Sequence, residues 1–369
     1  MLIFYDKYMN QLKEIDFIEA SWNRKFNEAG DFMLHTTSEN WNPEIKYIKN
    51  SGRKETAIVQ KVIQEQKTDG KFITASGFFC EKVLDWGCNF ISKSISAKSE
   101  KVARNKINDY LDETCNTALK SIRLDGSPIL STIDQTIEVG TPTGQFLYGL
   151  FLGNEQSFWC EPIIGRNESE PLMSIIVHPY FGEDKRDEVY FGDGFGNVSS
   201  IRYHFDESGE YPSIGIIQEV QAASGFSNVQ SLSTKDGVKY FITETVTEEA
   251  NKPKDLGACY PLKVISGNVS DIEMVSANQT AIRRAMKEQG RLEMLNHYKV
   301  ETVEADVLQE TFFYLKDYDI GDICTIIFDS VKKSFSARII EIQEVFRKNQ
   351  TEIKLIFGTP RKQKYIAIN

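Results

Sequence analysis

Polar and apolar residues alternate with a period of two along most of this chain, and in two stretches the period changes to 3.6. The clearest alternation lies near the end. Residues 323–328, 336–345 and 352–357 form three such runs, joined by polar stretches at 329–334 and 347–350, and predict a three-stranded meander suited to a small barrel. Near the start, residues 58–63 and 72–76 flank Asp69-Gly70, a strong short-range hairpin signal, so the first 90 residues read mostly as sheet. From 172 to 246 alternation resumes, as in 201–205 and 214–217, with a second such turn at Asp236-Gly237. Between Ser99 and Ile122, Val102, Ile107, Tyr110, Leu111, Cys115, Ala118, Leu119 and Ile122 share one helical face, with Ser99 placed to cap it. A second helix is expected after Asn278, carrying Ala281, Ile282, Ala285, Met286, Leu292 and Leu295, with a break or early end at Gly290. Residues 125–170 mix Gly, Pro, Ser and Thr with aromatic islands at Phe146-Leu147-Tyr148 and Phe158-Trp159, and read as a loop-rich connector. No repeat of fixed period is visible.

At 369 residues the chain exceeds a single comfortable core, and about 100–200 residues per domain gives two to four. The pattern divides it into an N-terminal sheet domain (1–95), a helix and loop-rich connector (96–170), a middle β-rich domain (171–275) and a helix with a terminal meander (276–369). The expected fold class is α+β, β-rich and multidomain. The 15 tyrosines and 23 phenylalanines agree with a weight towards sheet.

The formal charge of -10 repels phosphate backbones and argues against a nucleic-acid-binding enzyme. Six cysteines, at 80, 88, 115, 160, 259 and 324, include no close pair. They predict buried thiols in a reducing cytoplasm rather than a disulfide framework or a zinc knuckle. Asp6 and Lys7 interrupt what would be a signal-peptide core, and the longest apolar run, 146–152, is far too short to span a bilayer. A chain soluble where it is made is expected, without a membrane span.

The search for chemistry returns bland readings. His35, His178, His204 and His297 fall in no metal-ligand spacing. The glycines of Gly192-Asp193-Gly194-Phe195-Gly196-Asn197 could cradle a phosphate, but 198–205 alternates as a strand where a helix would be required, so tight turns explain them. The run 182–188 lacks the spacing of a calcium loop. Cys160 and His178 are the one tempting nucleophile and base, without an activating motif around either. Carboxylate pairs are uninformative among 53 acidic residues, and Trp22, Trp41, Trp86 and Trp159 weigh core packing against stacking on sugars. No catalytic, cofactor-binding or metal-ligating residue is assigned, and no cofactor is expected.

Three ordered passages carry a resemblance. The first is Leu2-Ile3-Phe4-Tyr5-Asp6 with 15–32, in which Trp22, Arg24, Lys25 and Phe26 lead to Gly30 and Phe32. The second is His178-Pro179-Tyr180-Phe181-Gly182-Glu183-Asp184-Lys185-Arg186, followed by Val189-Tyr190-Phe191 and Ile201-Arg202-Tyr203. The third is Tyr318-Asp319-Ile320-Gly321-Asp322-Ile323, with 337–344 and Leu355-Ile356-Phe357-Gly358. Together they resemble the tail-hub, or tail-associated, baseplate proteins of siphophages, related in fold to the hub of contractile-tailed phages. After Gly77 the chain departs from the family's usual Leu-x-x-Arg-Arg, reading Val83-Leu84-Asp85-Trp86-Gly87.

The resemblance implies two small tube-like β-barrel domains, at the N- and C-terminal ends, plus helices and a middle sheet region. It implies a structural, non-enzymatic protein that closes the distal end of the tail tube as a homotrimeric ring and opens for DNA passage on host binding. Implied partners are a hexameric distal tail protein, the receptor-binding proteins of the baseplate and the tape measure protein, without sequence-specific nucleic-acid binding. The implied place is the virion tail tip, assembled in the bacterial host cytoplasm. An acidic surface would suit a channel past which DNA slides, although ordinary solvation explains it equally. The alternative is a tail protein that degrades the cell wall or binds its polysaccharide.

Overall fold

The structure, a computed structural model, describes residues 2–68, 70–88, 93–117, 120–127, 129, 133–137, 139–152, 155–165, 170–206, 211–222, 225–247, 262–269, 274–294, 297, 300–328, 333–348 and 350–358. The chain divides into two compact units, Met1–Tyr203 with Thr302–Asn369, and His204–Glu301.

In the first unit, alternation sets which residues face inward. Strand β2 (Glu19–Lys25) buries Ala20, Trp22 and Arg24, and β3 (Asp31–Thr37) buries Phe32, Leu34 and Thr36. With β1 (Leu2–Tyr5), β4 (Tyr47–Asn50), β5 (Thr56–Lys67) and β6 (Gly70–Phe79) they form an antiparallel series in the order β1-β4-β5-β6-β3-β2. Trp22 lies 4.5 Å from Phe79, centroid to centroid, in a core with Phe4, Phe32, Leu34 and Ile48.

The terminal meander stands as expected, as β19 (Ile323–Phe328), β20 (Lys333–Arg347) and β21 (Gln350–Gly358). Beside β21 lie β18 (Val300–Val307) and then β13 (Val198–Asp206), while the short β12 (Tyr190–Gly192) runs parallel to β19. The 15 residues of β20 serve two partners along one side. Its first part pairs with β19 (Ile323↔Arg338) and its last part with β2 (Arg24↔Ile342), with a register shift between Ile339 and Glu341 on its other side. The N-terminal and C-terminal series are therefore one 12-stranded sheet. Among the described residues that sheet ends at β1, β13 and the short β12 without closing on itself, so the two expected small barrels are not closed barrels here.

A third core in this unit lies under α1 (Glu100–Thr114) and α2 (Thr143–Leu152). Helix α1 begins after Ser99, at the expected start, although the Ser99 side chain makes no capping hydrogen bond, and it stops eight residues before Ile122, the expected end. Asn116 turns the chain, its side chain holding both Ile122 N (2.6 Å) and Ile122 O (3.2 Å), and Ile122 belongs to β8 (Lys120–Leu124); Ala118 and Leu119 lie outside the described residues. The supposed loop-rich connector contains α2 and β10 (Gln156–Ile164). Helix α2 buries Phe146, Leu147, Tyr148, Leu150 and Phe151, and a helix apolar all round has no amphipathic period to reveal it. Strand β10 pairs with β11 (Met173–Phe181), which runs parallel to β8, and β7 (Lys93–Ala97) pairs with β9 (Ile133–Ile137).

The second unit is a four-stranded sheet, β15 (Val229–Thr234), β16 (Gly237–Thr247), β14 (Ser213–Val220) and β17 (Leu262–Ser266) in that order. Helix α3 (Gln279–Met294) sets Ile282 and Met286 against Ile214, Ile216 and Ile242. It starts directly after Asn278 and runs on through Gly290, where a break was expected. A side chain there would meet Ile216 Cδ1 at 2.7 Å and Val246 Cγ2 at 2.9 Å, so the glycine serves close helix–sheet approach. Leu295 lies outside the described residues. In both anticipated hairpins the glycine is the first strand residue rather than part of the loop: Gly237 (φ +128°) pairs with Thr234, and Gly70 (φ +154°) with Lys67. Asp69 lies outside the described residues.

Candidate functional site

Strands β10 and β11 bring Cys160 and His178 onto neighbouring strands but not onto one face. The register pairs Cys160 with Val177 and Trp159 with His178, and successive side chains alternate across a sheet. Cys160 is wholly buried, and burial pushes its thiol well above the usual range. The His178 ring stacks on Trp159 at 4.1 Å while Nδ1 meets Asp125 Oδ2 at 2.5 Å. An aspartate–histidine pair exists, but the sulfur lies on the other side of the sheet. The remaining candidates have local roles. His35 stacks on Phe72 and meets Thr74 Oγ1 at 3.1 Å, His297 accepts from Lys263 Nζ at 2.7 Å, and His204 is exposed on β13. Among the described residues no group of three or more His, Cys, Asp or Glu is arranged to hold a metal.

The glycine-rich run forms the expected tight turn: β12 ends at Gly192, a 3-10 turn spans Asp193–Phe195, Gly196 takes φ +66°, and β13 follows. Of the tryptophans, Trp22 is core, Trp41 packs against it, Trp159 stacks on His178, and Trp86 is 61% exposed.

Burial also orders the thiols. Cys80, Cys115, Cys160 and Cys324 are buried, Cys88 is half-buried, and Cys259 lies outside the described residues. A thiol-reactive disulfide applied to the native chain is expected to label Cys88 well before those four, read by mass spectrometry of the digest. Equal labelling of all five would contradict the packing.

The three passages that carried the resemblance meet at one point. Phe26, from the first, donates its N–H to Ile340 O (2.9 Å) and sets its ring edge-on to Tyr180 of the second at 6.0 Å. The Arg338 guanidinium lies 5.0 Å over that ring. Gly182 of the second passage abuts the Gly321 carbonyl of the third so closely that it has no room for a Cβ, and a Cβ on Gly321 would meet the Phe26 ring at 2.6 Å. Beyond the crossing the two segments run side by side: Glu183 N–H donates to Asp322 Oδ1 (2.8 Å), Ile323 N–H to Glu183 O (2.9 Å) and Lys185 N–H to Ile323 O (2.9 Å).

Beside this crossing lies a buried charge network that the sequence reading missed. Arg24 on β2, 2% exposed, donates to Glu55 Oε1 (2.8 Å), to the Tyr314 hydroxyl (2.7 Å) and to Asp319. The Tyr314 hydroxyl in turn donates to Glu344 Oε1 at 3.2 Å. Glu344, on β20 and wholly buried, takes a two-pronged contact from Arg53. Burial works against the Arg24 charge, but Glu55, Tyr314 and Asp319 outweigh it and keep the guanidinium protonated. The network joins β2, the β4–β5 turn, the segment before β19, and β20. One signal was available: Arg24 shares strand parity with Ala20 and Trp22, and Glu344 with Ile342.

Residues 169–359 match the model of the siphovirus ReqiPepy6 Gp37-like protein family. The chain belongs to this family. No curated protein matches this Gp37-like chain, but solved structures do. It is similar to the 43 kDa tail protein of prophage MuSo2 from Shewanella oneidensis, with TM-score 0.57, 12% identity, and 98% of this chain and 99% of that one covered. It is also similar to the tail protein from Neisseria meningitidis MC58, with TM-score 0.52, 12% identity, and 98% and 97% covered. Prophage tail protein gp18 from Listeria monocytogenes EGD-e gives TM-score 0.50, 13% identity, and 98% and 95% covered. These identities establish fold alone. The family match places the Gp37-like chain among siphovirus proteins, and its fold is the one that these three tail proteins share. The family match contains the second and third passages, and the fold likeness extends over the first. Among the described residues no helix is long and apolar enough to cross a membrane.

Proposed function

We propose that this chain is a tail hub: three copies form a ring that closes the distal end of the tail tube and opens for DNA passage when the host is bound. The observation that carries the reading is the 12-stranded sheet, which stays open at its ends. Strand β13 ends the sheet with Ser199, Ser200, Arg202 and His204 exposed, whereas residues 11–12 partly cover β1, with Leu12 N–H donating to Phe4 O at 2.8 Å. An open edge is an aggregation hazard unless something pairs with it. A closed ring of copies removes that hazard by completing tube-like barrels across subunits.

The hub would stack below a hexameric distal tail protein, carry the receptor-binding proteins around it and meet the tape measure protein inside. It would be assembled in the host cytoplasm and reside at the virion tail tip. Its work is mechanical and calls for no catalytic residue: a rigid junction holds each subunit's sheet while subunits rearrange.

The decisive experiment is solution mass by light scattering, with negative-stain averages of the same sample, alone and with the distal tail protein. Three-fold rings of about three chain masses are expected. A monomer under both conditions would overturn the hub reading. Release of soluble fragments from purified peptidoglycan would instead favour a wall-degrading tail protein.

A further inference from the structure

Beneath the Arg24 network lies a cavity of about 10 Å³, room for one water. Two buried carboxyls face it, each with one oxygen engaged and one without a partner. Glu81, in the 3-10 turn Cys80–Trp86, is 3% exposed; its Oε1 accepts the Cys160 N–H at 2.8 Å and its Oε2 has no partner. Glu55 is 7% exposed; its Oε1 accepts from Arg24 and its Oε2 has no partner.

Neither cation at the wall meets the two idle oxygens. Arg24 serves Glu55 and Asp319, and Lys25 lies 3.4 Å from both Glu28 and Asp31. The other titratable neighbours, Cys80 and Cys160 and the phenols of Tyr148 and Tyr180, are kept neutral by burial. Two ionised carboxylates facing one water-sized space would repel each other in a low dielectric. A proton removes that conflict and supplies the donor that the two idle oxygens lack.

We propose that Glu81 is carried protonated in the folded chain, donating through one cavity water to the idle oxygen of Glu55, and that losing this proton loosens the junction above it. The proton leaves to solvent by an adjoining cleft of about 370 Å³, which shares Lys25, Glu28 and Tyr148 with the cavity and is also lined by Lys82 and Asp85. Burial pushes the Glu81 carboxyl up to about 8, against an ordinary 4.5. Between those two values the folded chain binds the proton and the unfolded chain does not. Stability from this group is therefore complete below the lower value, falls as pH rises, and levels off above the upper one. The inference does not depend on the hub reading.

Urea unfolding of the full chain from about pH 5 to about pH 9 tests it. The unfolding constant should rise by up to about tenfold per pH unit until about pH 8, and Glu81→Gln should remove that rise. Glu55→Gln, lacking the facing charge, should move the upper end of the window to lower pH. Amide exchange in β2 and the 3-10 turn, corrected for its intrinsic pH dependence, should accelerate with pH in the parent chain and not in Glu81→Gln. The same pH slope in Glu81→Gln, or an equal loss of stability at every pH, would overturn the proposal. If that variant does not fold, infrared difference spectra of the parent chain decide: absence of a protonated carboxyl band that is lost as pH rises sinks the idea.

Discussion

Replacing Arg24 with methionine is expected to lower unfolding free energy by about 3–5 kcal/mol, the usual cost of removing one partner from a buried ion pair. The side chain is 2% exposed and holds Glu55, the Tyr314 hydroxyl and Asp319 together. Methionine fills the volume but leaves Glu55 facing its cavity with both oxygens unpaired. Urea titration reads the change. Adding Glu55→Leu to Arg24→Met should recover part of the loss, because the unpaired charge accounts for much of it. Replacing Arg186, whose exposed side chain pairs with Asp184 two residues away, should leave the midpoint where it was. Equal effects at Arg24 and Arg186 would mean that the buried network does not hold the junction.

Gly321→Val carries the other large effect, roughly 2–6 kcal/mol, combining left-handed backbone strain with overpacking. Gly321 has φ +93°, and a Cβ there would meet Phe26 Cε2 at 2.6 Å. Its N–H donates to Ile339 O at 2.9 Å and its carbonyl accepts from Arg338 at 2.6 Å, so the backbone has little room to move away. Gly196→Ala separates the two causes. That glycine has φ +66° and open space around it, so strain alone, about 1 kcal/mol, should appear there. Thermal melts of the two variants side by side test this, and an unchanged melting temperature for Gly321→Val would refute the close crossing.

Alternation made the terminal meander legible, because Cys324, Ile326 and Phe328 occupy every second position of a half-buried strand. The turn reading of Gly192 to Asn197 held for a related reason, since a strand follows the glycines. Local periodicity failed where an element is buried all round, as α2 is, and where one side chain ends a helix, as Asn116 does. It also misplaced the role of Gly290, which answers to Ile216 and Val246 across the sheet rather than to its own helix. The Arg24 network lay further from reach. Its contacts join residues 290 and 295 positions apart, and parity can place a charge inside without naming its partner. What survived best was the order of the three passages, which fold onto one another at Phe26, Gly182 and Gly321.

The sharing of β20 bears on how the protein is made. Strand β2 leaves the ribosome early, yet its neighbour is 328 residues downstream at the Glu19–Arg347 contact. At about 5–20 residues per second, bacterial synthesis leaves that edge without its partner for roughly 15–65 seconds. Throughout that interval the nascent chain displays a strand carrying Trp22 beside an uncompleted core, the kind of surface that holding chaperones recognise. Closing the sheet is therefore among the last events of biogenesis, and a message truncated before β20 would yield a product with that edge permanently open.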